Sequence, residues 1–386
     1  MRLSAPWLEA APTRKALGLL TDAGHQAWVV GGAVRDELLG RDVHDLDIAT
    51  DAPPETVMSL ADSAGLHVVP TGVDHGTVMV IVDSTPFEIT TFRRDVETDG
   101  RRAVVAFAGS LEEDALRRDF TLNALYSAPD GTVRDPTGGL DDLRARRIRF
   151  IGSAVERIRE DYLRILRFFR FHAFFGGDGI EPEGLAACAA EQEGIGRLSR
   201  ERVGGEVFRL LDAPDPAPAV AAMERAGILA RVMPGAQSGA LAPLVHVEGR
   251  LGLAPDPVRR LAALGGTDEM EALRLSRANA RALDELRVAL VSDDGAAALG
   301  YRHGRDAALS VLALRAAFSG REPDPDTGDS VDFGRAQTLP VGATDLMPDY
   351  EGPALGARLA ELETAWIESG FRLDRTALLN FPPATG

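Results

Sequence analysis

The feature that most constrains the fold is a change of hydrophobic period near residue 144. Before it, short apolar runs alternate with helical patterns. After it, strand signals stop and amphipathic helical spacing runs nearly to the end. "AWVV" (27–30) reads as a buried strand broken by Gly31 and Gly32, and "AVRDELLG" as a short helix stopped at Gly40. "LDIAT", "TVMVIVD" and "FEITTFR" read as further strands, "RRDVETDGRRA" as a charged loop, and "LEEDALRRDFTLNALYS" as a helix. The class is therefore α+β, with a small mixed sheet and its helices in a compact head and an all-α remainder. "DGTVRDPTGGLDDL" closes the head with turn residues, and Pro/Asp-rich segments at 212–220 and 321–330 divide the helical part. The expected units are 1–143, 144–211, 212–320 and 321–386.

Composition narrows the function classes. No run approaches the roughly 20 apolar residues that span a bilayer. Glu9, Arg14 and Lys15 interrupt the start where a signal peptide needs an apolar core, so a cytoplasmic location is expected. Cys188 is the only cysteine, which excludes an internal disulfide or a thiolate zinc cluster. Its alanine-rich surroundings point to a buried structural thiol. The net charge of −17 weighs against a polyanion partner, but its distribution matters more than its sum. Residues 144–170 hold nine arginines against three acids, a concentrated cationic segment in an acidic chain. Arginine suits planar, bidentate contacts to phosphates and base edges.

Several constellations carry chemistry. Gly31 and Gly32 between strand and helix allow close backbone approach to a phosphate, although a plain tight turn needs the same residues. Arg35 follows one helical turn after Gly32. In "HDLDIAT" (44–50), Asp45 and Asp47 are placed on one face of a strand, since i and i+2 lie side by side. Such a pair suits hard, oxygen-seeking Mg²⁺, or is simply solvated. Glu88 is a third acid if its strand neighbours theirs. "RRDFTLNAL" sets Arg118, Asp119 and Asn123 near Arg117, a set able to hold triphosphate oxygens and ribose hydroxyls, or a solvated helix face. His75 reads as a structural residue at a turn.

"REDYLRILRFFRF" (159–171) is the most informative stretch. Asp161, Arg164, Arg167 and Arg170 recur at i+3, a ridge on a helix. The Asp161–Arg164 pair is either a surface ion pair or a reader of base edges. A carboxylate accepts from an exocyclic amine while a guanidinium donates to the adjacent ring nitrogen. Cytosine and adenine share that edge, and uracil and guanine reverse it. One pair therefore accepts C and A and rejects U and G, because the wrong base leaves buried polar groups unpaired.

Taken in order, "GGAVRDELLG", "DLDIAT", "TGVDHGTVMVIV", "EITTFRRD", "DGRRAVVAF", "LRRDFTLNAL", "DGTVRDPTGGLDDL", "REDYLRILRFFRF" and "RLSRERVGGE" resemble the class II tRNA nucleotidyltransferase and poly(A) polymerase family, most nearly its CCA-adding members. The resemblance is dense over about residues 25–210 and faint near the end. It implies a polymerase-β-like nucleotidyltransferase head followed by helical neck, body and tail. It further implies nucleotide contacts at Gly32, Arg35, Arg118, Arg167 and Arg170, and a ribose contact at Asp119; Gly31 and Asn123 are added as nucleotide contacts by the chemistry of the glycine turn and the RRD segment. Metal carboxylates are implied at Asp45 and Asp47, and a base template at Asp161 and Arg164. The charged loop 94–103 resembles the flexible loop of full CCA-adders, and Gly204 and Gly205 interrupt the helical pattern of the last motif. The implied reaction joins the tRNA 3′-hydroxyl to the α-phosphate of CTP twice and then of ATP, with Mg²⁺, releasing pyrophosphate. An A-adding enzyme or bacterial poly(A) polymerase is the near alternative, and a catalytically inactive RNA-binding module the remote one. Neither a membrane nor an obligate protein partner is implied.

Overall fold

The computed structural model describes residues 1–99 and 102–383. Two compact units form: residues 1–236 with 266–274, and residues 237–265 with 275–386.

The first unit is built on a seven-stranded sheet in the order β3-β4-β5-β2-β1-β8-β9. Its strands are β1 (Ala27–Val30), β2 (Asp47–Thr50), β3 (His67–Gly72), β4 (Thr77–Val82), β5 (Thr85–Thr91), β8 (Tyr126–Ser127) and β9 (Val133–Arg134). A separate hairpin pairs β6 (Arg93–Asp99) with β7 (Arg102–Phe107). Neighbours pair antiparallel except β2 and β5, which run parallel. The central strands carry the apolar residues that the alternation demands: Val29, Val30, Ile48, Ala49, Phe87 and Ile89 are all buried. Helices α1 (Ala11–Thr21), α2 (Gly32–Leu38), α3 (Pro54–Ser63) and α4 (Leu111–Leu116) accompany the sheet.

Two expectations need correction. The segment 94–103 is a hairpin rather than a loop, apart from Gly100 and Arg101, which lie outside the described residues. The hairpin forms a sheet of its own, and the charge pattern of the segment concealed its strands. The helix expected through residue 127 stops at Leu116. Beyond it the backbone pairs with a distant segment, Thr121 N–H donating to Arg149 O and Ile151 N–H to Asp119 O. Tertiary pairing overrides the local helical pattern there.

After β9 the described residues are helical. Residues 154–211 supply α5 (Ala154–Glu160), α6 (Leu163–Phe175) and α7 (Arg200–Leu211). Phe120 contacts Phe150 and Phe171 at centroid distances of 4.8 and 5.2 Å, seating α6 against the head. Cys188 is fully buried, and burial pushes its thiol pKa up.

The second unit is all helical. Its long helix Ala296–Ser319 breaks at Gly304, whose φ of 76° lies in the left-handed region. Glu248, buried, pairs with Arg259 and Arg260 at 2.8 Å each. No helix among the described residues is long and apolar enough to cross a membrane.

Candidate active site

The site begins at the ends of β1, β2 and β5. Val30, the last residue of β1, pairs with Asp47, the first of β2, so the ladder has no partner for residues before 47. Asp45 thus precedes the strand instead of sharing its face with Asp47. Glu88 stands opposite Asp47 in the parallel β2–β5 register. Asp47 is exposed at the strand end, yet protein atoms crowd its carboxyl. That desolvation, then the Glu88 carboxylate and more weakly Asp45, lift its pKa to about 6 against the pull of Arg118. Among the described residues no three acidic, histidine or cysteine side chains already close round an ion. The donor chemistry nevertheless fits a divalent cation: the oxygens are hard, and a cation beside them offsets the carboxylate repulsion that adds to desolvation in raising Asp47.

The glycine turn lies beside this edge. Gly31 adopts φ 75°, accessible to glycine, and its N–H donates to Leu125 O. A Cβ there would stand 3.6 Å from Arg118 Nη1. Arg35, buried on α2, donates to Asn123 Oδ1 at 2.7 Å and to both Asp36 oxygens at 2.9 Å, and stacks over Phe175 at 4.1 Å. Asn123 donates to Asp119 Oδ1 at 2.9 Å, and Arg167 donates to Asp119 Oδ2 through Nε at 2.7 Å and Nη2 at 2.5 Å. Burial alone would raise the Asp119 pKa, but Arg167 and the Asn123 amide hold it at about 2. Asp119 therefore joins the head to α6 as an anion at neutral pH.

Beneath Arg117 and Arg118 lies Asp114, 1% exposed. It accepts from Arg117 at 2.8 Å, from Arg118 Nη2 at 3.0 Å and from the Tyr126 hydroxyl at 2.8 Å. Burial would raise its pKa, yet the two guanidinium groups and Tyr126 lower it. Tyr126 in turn accepts from Arg118 Nε at 3.0 Å. The Arg93 N–H at the foot of the β6–β7 hairpin also reaches Asp114, at 3.4 Å.

The expected ridge of four charged residues is split, because α5 ends at Glu160 and α6 begins at Leu163. Asp161 sits between them in extended conformation and accepts the Leu163 N–H at 3.1 Å. Glu160 holds both Arg157 and Arg164, and Arg157 donates to the carbonyls of Arg117 and Arg118. From α7, Arg202 donates to Asp161 Oδ2 at 2.6 Å. Four residues on, buried Glu206 pairs with Arg170 at 2.7 Å. Gly204 and Gly205 do not break α7. Gly204 is needed there because a Cβ would meet Leu273 O at 1.9 Å.

These elements enclose a cavity of about 430 Å³. Of the residues singled out from sequence, it brings together Gly31, Gly32, Arg35, Asp47, Arg118, Asp119, Asn123, Asp161, Arg164 and Arg167. Asp45, Glu88 and Arg170 lie outside its lining, the first two close enough to Asp47 to shift its proton affinity. Arg117, Leu163, Phe171 and Arg202 line it without having been proposed as site residues. Arg202 and Glu206 lie one turn apart on α7, a spacing that a solvated helix face shares, so the sequence carried no distinguishing signal for Arg202. His75 ends a 3₁₀ turn, and its carbonyl accepts from Arg93.

A family model described as the poly(A) polymerase head domain matches residues 27–149, and one described as a probable RNA and SrmB-binding site of polymerase A matches 179–239. A CCA-adding enzyme of Streptococcus pyogenes serotype M2 is 45% identical over 215 residues, 54% of this chain and 52% of that protein. The mitochondrial CCA tRNA nucleotidyltransferase 1 of Homo sapiens is 39% identical over 218 residues, 55% of this chain and 50% of that protein. The match thus spans about half the length of these curated relatives. The crystal structure of the Bacillus stearothermophilus CCA-adding enzyme in complex with CTP superposes over 95% of this chain and 94% of that one, with TM-score 0.76 and 30% identity.

Proposed function

The chain belongs to the poly(A) polymerase and CCA-adding enzyme family, and from that premise we propose that it adds C, C and A to the 3′ end of tRNA from CTP and ATP, releasing pyrophosphate. One observation carries the reading: Asp161 and Arg164 open into the same cavity as Asp47. A base-edge reader selective for C and A therefore shares a chamber with the carboxylates suited to phosphoryl chemistry.

Nucleotidyltransferases of this family are metal-dependent. Asp45 and Asp47, with Glu88 as a third carboxylate, would hold Mg²⁺, which when bound stabilises charge on the attacking and leaving oxygens. Gly31 and Gly32 keep the turn free of side chains beside Arg118, leaving room for the triphosphate against that guanidinium. Arg35 and Asn123 line the same wall, fixed by their mutual hydrogen bond. Asp119 spends one oxygen on two Arg167 donors and the other on Asn123 and a backbone amide, so its acceptor sites are filled and a ribose hydroxyl would reach it by displacing one of these donors. Arg167 and Arg170 continue the cationic wall from α6. Segments 144–211, 212–320 and 321–386 act as neck, body and tail, holding the acceptor arm by backbone and shape as suits double-stranded RNA. A cytoplasmic location accords with this substrate.

A-only addition is the second reading, favoured by the poly(A) polymerase description of the head match. Incubation with tRNA ending before CC, after C or after CC, each with CTP or ATP alone, separates the two. CCA addition requires CTP incorporation on the first two substrates and ATP incorporation on the third. ATP incorporation without any from CTP would establish A-only addition.

A further inference from the structure

We propose that Arg202 is a specificity-determining positioning residue: by holding the Asp161 carboxylate in one orientation, it sets the discrimination between cytosine and uracil. The inference rests on the proposed function and extends it to a residue outside the base-reading pair.

The two halves of the reader are anchored independently. Arg164 is fixed by Glu160, by the Arg157 carbonyl at 2.7 Å and by the Arg117 carbonyl at 3.4 Å, all supplied by α5 and the Arg117–Asp119 segment. Asp161 has no such cage. It lies between two helices, and among the described residues its carboxylate accepts the Leu163 N–H on Oδ1, at 3.1 Å, and Arg202 on Oδ2, at 2.6 Å. The torsion that orients a carboxylate is broad and has no sharp staggered well, so a single backbone contact leaves its plane loose. The short charge-assisted bond from Arg202 supplies the second point that defines the plane. Each oxygen retains a lone pair, since a carboxylate has about four acceptor sites. One of these is available to the exocyclic amine of an incoming base.

Arg202 is itself held by its helix. Glu206, one turn on, is buried and paired with Arg170, and Gly204 lets α7 close on the Leu273 carbonyl. Thus α7 presents Arg202 and Glu206 to complementary charges, Asp161 before α6 and Arg170 on it. Arg202 also lines the cavity, so its effect is exerted where the base sits.

The consequence is selective. With Asp161 fixed, the uracil O4 carbonyl meets a carboxylate and is rejected. With Asp161 free to swing away, that repulsion disappears, and only the unfavourable meeting of Arg164 with the uracil N3–H is left to reject it. Loss of Arg202 therefore erodes rejection of uracil more than it erodes use of cytosine.

The test compares kcat/KM for CTP and UTP on tRNA ending before CC, for the wild type, Arg202→Gln and Arg202→Lys. Thermal melts establish that each variant is folded. Arg202→Gln is expected to lower the CTP-over-UTP preference by roughly 10- to 100-fold, the range of one charged hydrogen bond. Arg202→Lys, which keeps a cationic donor, is expected to recover at least part of it. An equal loss for both nucleotides, or no loss, overturns the proposal. If Arg202→Gln does not fold, Arg202→Met is judged by the same ratio, and an unchanged ratio in that folded variant overturns it equally. Wild-type protein that incorporates neither nucleotide overturns the functional reading and this inference together. A CTP-selective wild type with an unchanged ratio in Arg202→Gln or Arg202→Met overturns this inference alone.

Discussion

Replacing Asp114 by Asn tests whether a buried carboxylate outside the cavity organises the arginines within it. Asp114 is 1% exposed and holds Arg117 at 2.8 Å, Arg118 at 3.0 Å and the Tyr126 hydroxyl at 2.8 Å. Removing one partner of a buried ion pair costs about 3–5 kcal/mol, because the other charge is left without compensation. Here the Arg117 and Arg118 side chains are 16% and 20% exposed and can recover some water, which favours the low end, about 3 kcal/mol. For a unit of this size that corresponds to a fall in Tm of about 6–12 °C. Tyr126→Phe removes the hydroxyl's bond to the same carboxylate and the one it accepts from Arg118 Nε, but no charge, and is expected to cost less, about 1–3 kcal/mol. Calorimetric unfolding measures both. Single-turnover CTP incorporation well below the folding transition then tests the functional consequence, which is a lower kcat/KM for Asp114→Asn as Arg118 loses its fixed position. A melting temperature within about 1 °C of wild type would refute the electrostatic argument for Asp114.

Two further outcomes follow from particular contacts. Asp119 has a folded pKa of about 2 against an ordinary 3.8, so it contributes stability above about pH 4 that is lost as pH falls toward 2. The amount is about 2 kcal/mol, and Asp119→Asn is expected to lack that part of the acid-unfolding profile; a wild-type slope in the variant would refute the assignment. Gly204→Ala forces a Cβ against the Leu273 carbonyl and should cost about 1–3 kcal/mol in denaturant unfolding. Gly205→Ala meets nothing within 4 Å and should instead stabilise α7 by about 0.5–1 kcal/mol. The reverse order would refute the close-approach account.

The parts legible from sequence were those with a local physical signature. Buried strands such as β1 announced themselves by continuous apolar runs, and the glycine turn by its position between strand and helix. What sequence concealed depended on distant partners. The helix at Leu116 ends because residues 119–121 pair with 149–151, a contact with no local trace. The β6–β7 hairpin pairs with itself outside the main sheet, and the charges of 93–102 read locally as a loop. Asp161 reads as one member of a helical ridge, yet it lies in a break that its own bond to the Leu163 N–H helps to form. Asp114 and Arg202 escaped for a related reason. Each acts on a site residue, and nothing in the spacing of acids or arginines distinguishes such a support from a solvated charge.

The central claim is that nucleotidyl transfer takes place at Asp47. The most direct measurement is rapid-quench incorporation of labelled CMP into tRNA ending before CC, in Mg²⁺, by wild type and Asp47→Ala, with CTP binding followed separately by calorimetry. Loss of several kcal/mol of transition-state stabilisation predicts a fall on the order of 10³-fold in the transfer rate, with CTP binding retained within about tenfold. An Asp47→Ala protein that extends the tRNA at close to the wild-type rate would contradict the account.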